Sequence, residues 1–135
     1  MMRIVVLLLG VVVAGCAPQV STVGAPRPEV LRDVEGYAIA SCLTMQVQPY
    51  LKDQGDAWAS VIVQRTKGSL DVLIGVAEQV KRETAKGNMA VIRDEIGPGK
   101  DKSLPVLYCG EIIDEPAVRA AIQKAVTELA PSHDR

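Results

Sequence analysis

Residues 29–45, EVLRDVEGYAIASCLTM, decide the fold of this chain. Their apolar side chains recur at helical intervals, at Leu31, Val34, Ala38, Cys42 and Met45. This spacing places them on one face of an α-helix, so we expect that face to pack against a core and Cys42 to point into it. Proline cannot continue a helix, and Pro49 therefore predicts an end to this element near Gln48.

Two further stretches after this helix show the same period. A second helix is predicted to run to about Thr66 after an acidic cap at Asp53 or Asp56. Its inward side is expected to consist of Trp58, Val61 and Ile62. A third helix is predicted to begin after a cap at Ser69 and to stop at Gly87. Its apolar residues are Leu70, Leu73, Ile74, Ala77 and Val80.

The rest of the chain predicts two more helical elements. Residues 89–92 fit either a short helix or a packed extended segment, and residues 94–103, DEIGPGKDKS, form a charged, exposed loop with a Gly-Pro-Gly turn. Ser103 and Asp114 are expected to cap the last two helices. The inward residues are Val106, Cys109 and Ile113, then Val118, Ala121, Ile122, Ala125 and Leu129. Since no segment alternates as a strand, we expect an all-α fold, a small bundle of four to five helices.

The first sixteen residues, MMRIVVLLLGVVVAGC, have the layout of a secretory signal. Arg3 is the only charge before residue 27, and the apolar run over residues 4–13 is about half as long as a membrane-spanning helix. The Val-Ala-Gly-Cys ending resembles the lipobox of bacterial lipoproteins. In that family, cleavage falls just before the cysteine, which is then lipidated.

This resemblance implies a signal peptide at residues 1–15 and a lipid on Cys16. Residues 16–28, rich in proline, are interpreted as the lipidated cysteine and a flexible tether, 29–131 as the helical domain and 132–135 as a tail. The implied location is the bacterial periplasm, anchored to the outer membrane because Ala17 follows the cysteine. An uncleaved membrane tether and an ordinary cleaved signal are the alternatives.

Two cysteines remain once Cys16 carries a lipid. Cys42 and Cys109 would lie in an oxidising compartment, where an even count indicates a disulfide. The alternative is a reduced, buried pair.

The residue types needed for catalysis are scarce. The one histidine, His133, lies in the tail, so no Ser-His-Asp or Cys-His arrangement is expected. No CxxC or HExxH pattern supports a metal or other cofactor. The chain has 15 basic and 16 acidic residues, which argues against a nucleic-acid partner. We therefore expect a protein-binding module, not an enzyme.

Two short segments carry a family resemblance. YAIASCL at residues 37–43 and LPVLYC at residues 104–109 resemble the two cysteine segments of the type VI secretion amidase immunity proteins. The order of helices is similar over roughly residues 29–130. The resemblance implies a small helical periplasmic protein that binds and blocks a peptidoglycan amidase delivered by neighbouring or kin cells, and it implies a Cys42–Cys109 disulfide. The lipobox departs from the family, because many members are merely periplasmic.

Two sets of residues are candidates for contact with the toxin. The first lies in the charged loop and consists of Pro98, Lys100 and Lys102; the second is the acidic run Glu111, Asp114 and Glu115. The loop would enter a substrate cleft, and the acids would face a basic rim or a catalytic histidine. A solvent-exposed loop and helix-capping acids are the alternatives.

Other functions stay open. The chain also fits an envelope adaptor or assembly lipoprotein with a resident partner. A weak enzyme or small-ligand carrier would require a well-formed apolar pocket. The apolar face of the last helix also fits a homodimer interface.

Overall fold

The computed structural model describes residues 27–93, 99 and 101–134. These contain helices α1 (Glu29–Thr44), α2 (Pro49–Arg65), α3 (Asp71–Thr84), α4 (Pro105–Glu111) and α5 (Pro116–His133). A 3-10 turn, Ile112–Asp114, joins α4 to α5, and a short antiparallel hairpin of β1 (Val91–Ile92) and β2 (Lys102–Ser103) precedes α4. The prediction of an all-α bundle is confirmed. The predicted signal peptide, Cys16 and the tether up to residue 26 lie outside the described residues.

Helix α1 lies at the centre of the bundle and packs against the other four helices. Val34, Ala38 and Cys42, predicted from the helical period, are fully buried. The facing core residues are Leu73, Val76 and Val80 of α3, Cys109 of α4, Ile112, and Val118, Ile122, Ala125 and Leu129 of α5. Burial of this aliphatic face is what holds α1 in place.

Helix α2 packs extensively only against α1 among the described elements. The two helices approach closely because small residues line their contact. A Cβ atom on Gly55 would lie 2.7 Å from the carbonyl oxygen of Ala40 and 2.8 Å from the backbone nitrogen of Thr44. Gly36 of α1 has the same role, because the absence of a side chain there lets the ring of Trp58 pack against the α1 backbone.

Substitution Gly55→Ala should lower the free energy of unfolding by about 2 kcal/mol, because backbone atoms of α1 must move to admit the methyl group. Gly75→Ala on α3 is the matched control. A Cβ there meets nothing within 4 Å, so the same change should raise stability by about 0.5–1 kcal/mol through helix propensity. Urea unfolding measures both, and equal effects would contradict the close approach.

Cys42 and Cys109 form a disulfide with an S–S distance of 2.07 Å and a Cα–Cα distance of 5.4 Å, as predicted. Both residues are fully buried. The buried amide of Gln46 lies over the bond, where its Nε2 donates to the carbonyl oxygen of Cys42 at 3.0 Å and lies 3.4 Å from Cys109 Sγ. The bond fixes the short helix α4 to the C-terminal half of α1.

The boundary between α1 and α2 differs from the prediction. Helix α1 ends at Thr44, and a tight turn follows in which Met45 N–H donates to the carbonyl oxygen of Cys42. Pro49 begins α2 and does not end α1. Proline suits the first position of a helix, where its missing N–H has no intrahelical partner to lose. Asp53 and Asp56, the predicted caps, are exposed within α2.

The predicted inward faces are too wide. Val61, Ile74 and Val106 were expected inside but are more than half exposed, while Ile112 is buried without having been predicted. The helical period selects an apolar arc, whereas the number of neighbouring helices decides how much of that arc is covered.

The predicted starts of the last two helices also shift. Leu104 and Glu115 occupy the cap positions expected for Ser103 and Asp114, and neither forms a side-chain cap hydrogen bond. Helix α5 continues through Pro131 to His133, so Ser132 and His133 of the predicted tail are helical.

A candidate protein-interaction surface

The hairpin pairs β1 with β2 directly before α4. Val91 pairs with Ser103, and Ile92 pairs with Lys102. The Leu104 N–H then donates to the carbonyl oxygen of Ala90 at 3.2 Å. Within the ambiguous segment 89–92, Val91 and Ile92 are therefore extended, which agrees with the second of the two predicted alternatives, although β1 is exposed and not packed. Since Pro105 begins α4, strand β1 lies next to the first turn of that helix.

Exposed apolar side chains concentrate in this region. Val91, Ile92, Val106 and Leu107 expose between 47% and 63% of their surface. With Lys102, also exposed, we call these residues the hairpin surface. Single exposed aliphatic residues are common in proteins, whereas several close together make this region a candidate interaction site.

The hairpin surface rests on a fixed support. Cys109, one turn after Val106, is bonded to Cys42 of the central helix. The hydroxyl of Tyr108 lies 3.5 Å from the carbonyl oxygen of Glu83, at the end of α3. Helix α4 is therefore bonded to α1 through Cys109 and contacts the end of α3 through Tyr108.

The structure separates the two predicted sets of contact residues. Lys102 lies in β2 before α4, while Glu111 lies at the other end of that helix. Seven helical residues span about 10 Å, so the sets flank α4 and do not form one cluster. Pro98 and Lys100 lie outside the described residues.

The acidic run is partly neutralised within the protein. Asp114 accepts a hydrogen bond from Arg119 at 2.9 Å, although its side chain stays largely exposed. Glu111 and Glu115 are exposed, and Glu115 directly precedes α5. Of the two predicted sets, the acidic one therefore has one of its charges paired within the protein, whereas Lys102 of the other set is exposed.

Three acidic residues are buried although the sequence did not predict it: Asp33, Glu35 and Glu83. Asp33 accepts hydrogen bonds from Arg65 through both carboxylate oxygens, and one of them, from Nε, measures 2.7 Å. Glu83 pairs with Lys86 at 2.6 Å. This hydrogen bond raises the pKa of Lys86. Asp33 lies about 160° from Leu31 on the helix circumference, opposite the predicted apolar face of α1, so the helical period gave no signal of its burial.

The third buried acid, Glu35, connects three parts of the molecule. It pairs with Arg27, which precedes α1, and with Arg119 of α5 at 2.6 Å. The hydrogen bond with Glu35 raises the pKa of Arg119. Since each acid has a basic partner, these pairs serve architecture and provide no free carboxylate for chemistry.

Two open grooves occur elsewhere on the described surface. One, of about 360 Å³, lies between α3 and α5 over Gly75, Ala121 and Ala125. The other, of about 450 Å³, lies between α1 and α2 beside Tyr37. Partial burial raises the pKa of the Tyr37 phenol. No histidine or cysteine is among the described residues that line either groove.

Within residues 27–93, 99 and 101–134, no three His, Cys, Asp or Glu side chains form a group that could hold a metal ion. His133 Nε2 lies 3.4 Å from the Lys67 backbone nitrogen, which donates to it. The described helices also include none long and apolar enough to cross a membrane.

Comparison with protein-family models, curated proteins and solved structures gives no match for this chain. The fold and the hairpin surface define a small, disulfide-linked helical protein with an exposed apolar region.

Proposed function

We propose that this protein is a lipid-anchored immunity protein of the bacterial envelope, which binds and inhibits a peptidoglycan amidase delivered by type VI secretion. The observation that carries the proposal is the hairpin surface, where two exposed aliphatic side chains of β1 and two of α4 occur together, and α4 is fixed to the central helix by a disulfide. The signal layout, the Cys16 lipobox and the family resemblance of the two cysteine segments supply the compartment and the class of partner.

Inhibition of this kind requires binding and no chemistry. The toxin acts on the cell wall, so the inhibitor must already be outside the cytoplasm and must occlude the substrate cleft. A contact surface fixed before binding loses little conformational entropy on association. Val106 and Leu107 would provide apolar anchors, and the charged loop with Pro98, Lys100 and Lys102 would extend the contact into the cleft. Glu111, Asp114 and Glu115 form the second candidate contact.

Substitution of Val106 and Leu107 together by serine should weaken amidase binding at least about tenfold, because two apolar anchors are lost at the interface. Leu70→Ser with Ile74→Ser, an exposed apolar pair on α3, is the matched control and should leave the affinity unchanged. Calorimetric titration with the amidase gives the affinity, and residual amidase activity gives the inhibition. Equal affinities for the two double variants would contradict this site.

The partner itself is identified by affinity capture with the tagged protein from lysates that contain type VI effectors. Recovery of a peptidoglycan amidase in near-stoichiometric amount, with its activity lost, supports the proposal. Recovery of resident envelope assembly proteins without a hydrolase would replace it with the adaptor function.

A further inference from the structure

The outer side of α2 carries an apolar and aromatic stripe that no described element covers. At 100° per residue, Tyr50, Ala57 and Val61 fall within about 40° of one another on the helix circumference. All three are exposed, and the exposed fraction of Tyr50 is 70%. Trp58 lies between this line and the contact with α1, with 39% of its surface exposed. We call these four residues the α2 stripe.

The composition of the α2 stripe fits a lipid interface. Tyrosine and tryptophan combine an apolar ring with one polar group, and both are enriched where membranes meet water. No aspartate or glutamate falls inside the arc of the stripe, because Asp53 and Asp56 lie about 60° and 120° away from Tyr50 on the other side. The exposed Gln54 and Arg65 also lie in this arc, about 40° and 60° from Tyr50, so the stripe is a narrow apolar line with polar neighbours. An interfacial helix combines such an apolar side with a polar side.

The position of α2 relative to the predicted anchor is the second argument. Only residues 17–26 separate Cys16 from Arg27, and even a fully extended chain of that length spans less than about 40 Å. Arg65, the last residue of α2, binds Asp33 near the start of α1, so α2 ends close to where the tether enters the domain. A lipid on Cys16 would thus keep the stripe at a high effective concentration near the bilayer.

We propose that the α2 stripe rests on the phospholipid surface to which Cys16 anchors the chain, with the Tyr50, Trp58 and Val61 side chains at the level of the head groups. The contact is peripheral. It adds to the anchor a second attachment that fixes how the domain lies on the membrane. This inference depends on the lipid at Cys16 but not on the identity of the protein partner.

The test uses the single tryptophan of the chain as its probe. The full-length gene is expressed, and the processed, lipidated protein is reconstituted into vesicles of phosphatidylethanolamine and phosphatidylglycerol. The emission of Trp58 should shift to shorter wavelength than in detergent-free buffer, and lipids brominated on the acyl chain should quench it about twofold. Tyr50→Ser with Val61→Ser should abolish both effects, whereas Leu70→Ser with Ile74→Ser should keep them.

Three results would overturn the proposal. One is mass spectrometry that finds no lipid on Cys16. Another is emission that acrylamide quenches but brominated lipids do not. The third is a blue shift that grows with protein concentration in the absence of vesicles, which would assign the stripe to a second copy of the chain. The Tyr50 and Val61 variant should still inhibit the amidase in solution, so failure of the membrane contact and failure of the proposed function are distinguished.

Discussion

Reduction of the Cys42–Cys109 bond should lower the free energy of unfolding by about 4 kcal/mol. The two cysteines are 67 residues apart in sequence, and opening a loop of this length restores a large conformational entropy to the unfolded chain. The experiment compares urea unfolding of the oxidised protein with unfolding in dithiothreitol. The double variant Cys42→Ser with Cys109→Ser is the control, since its stability should not respond to the reductant.

The same measurement also tests the structural role of the bond. Loss of cooperative unfolding after reduction would mean that α4 detaches while the remaining helices persist. A change below about 1 kcal/mol would contradict the entropic argument and would mean that the unfolded chain is already compact around these residues.

Substitution Arg119→Met should lower the free energy of unfolding by about 3 kcal/mol, because it leaves a buried carboxylate with one partner fewer. The side chain of Glu35 is only 8% exposed, whereas that of Arg119 is 33% exposed. Glu35→Met should therefore cost less, since Arg119 keeps its bond to Asp114 and some contact with water.

A double-mutant cycle in urea measures this asymmetry. The double variant Glu35→Met with Arg119→Met should be more stable than Arg119→Met alone, because the uncompensated charge has been removed. If the two single losses simply add, the ion pair contributes nothing beyond its separate side chains, and the explanation is wrong.

The helical period predicted most of the core because it depends on local geometry. Val34, Ala38 and Cys42 were placed correctly on α1, and the buried face of α5 was predicted from its spacing. Pro49 was misassigned because the same fixed backbone angle suits the end of one helix and the start of the next. Sequence alone did not distinguish these two roles.

Ion pairs between residues far apart in sequence could not be predicted from the sequence. The partners of the buried acids Asp33 and Glu35, Arg65 and Arg119, are 32 and 84 residues distant, and no local pattern connects them. Val106 was assigned to the core by its period, and so its place on the hairpin surface was missed. The exposure of Lys102 was expected from its charged loop, because solvation of charge is a local property.

The position of the disulfide has a consequence for proteolysis. The charged loop of residues 94–103 lies between the two cysteines in sequence, so a protease that cuts there would not release a fragment. The piece with α1, α2 and α3 would remain covalently joined to the piece with α4 and α5. On a gel the nicked protein would run as one species without reductant and as two with it. A break in the chain between residues 94 and 103 would therefore leave the two pieces of the bundle joined.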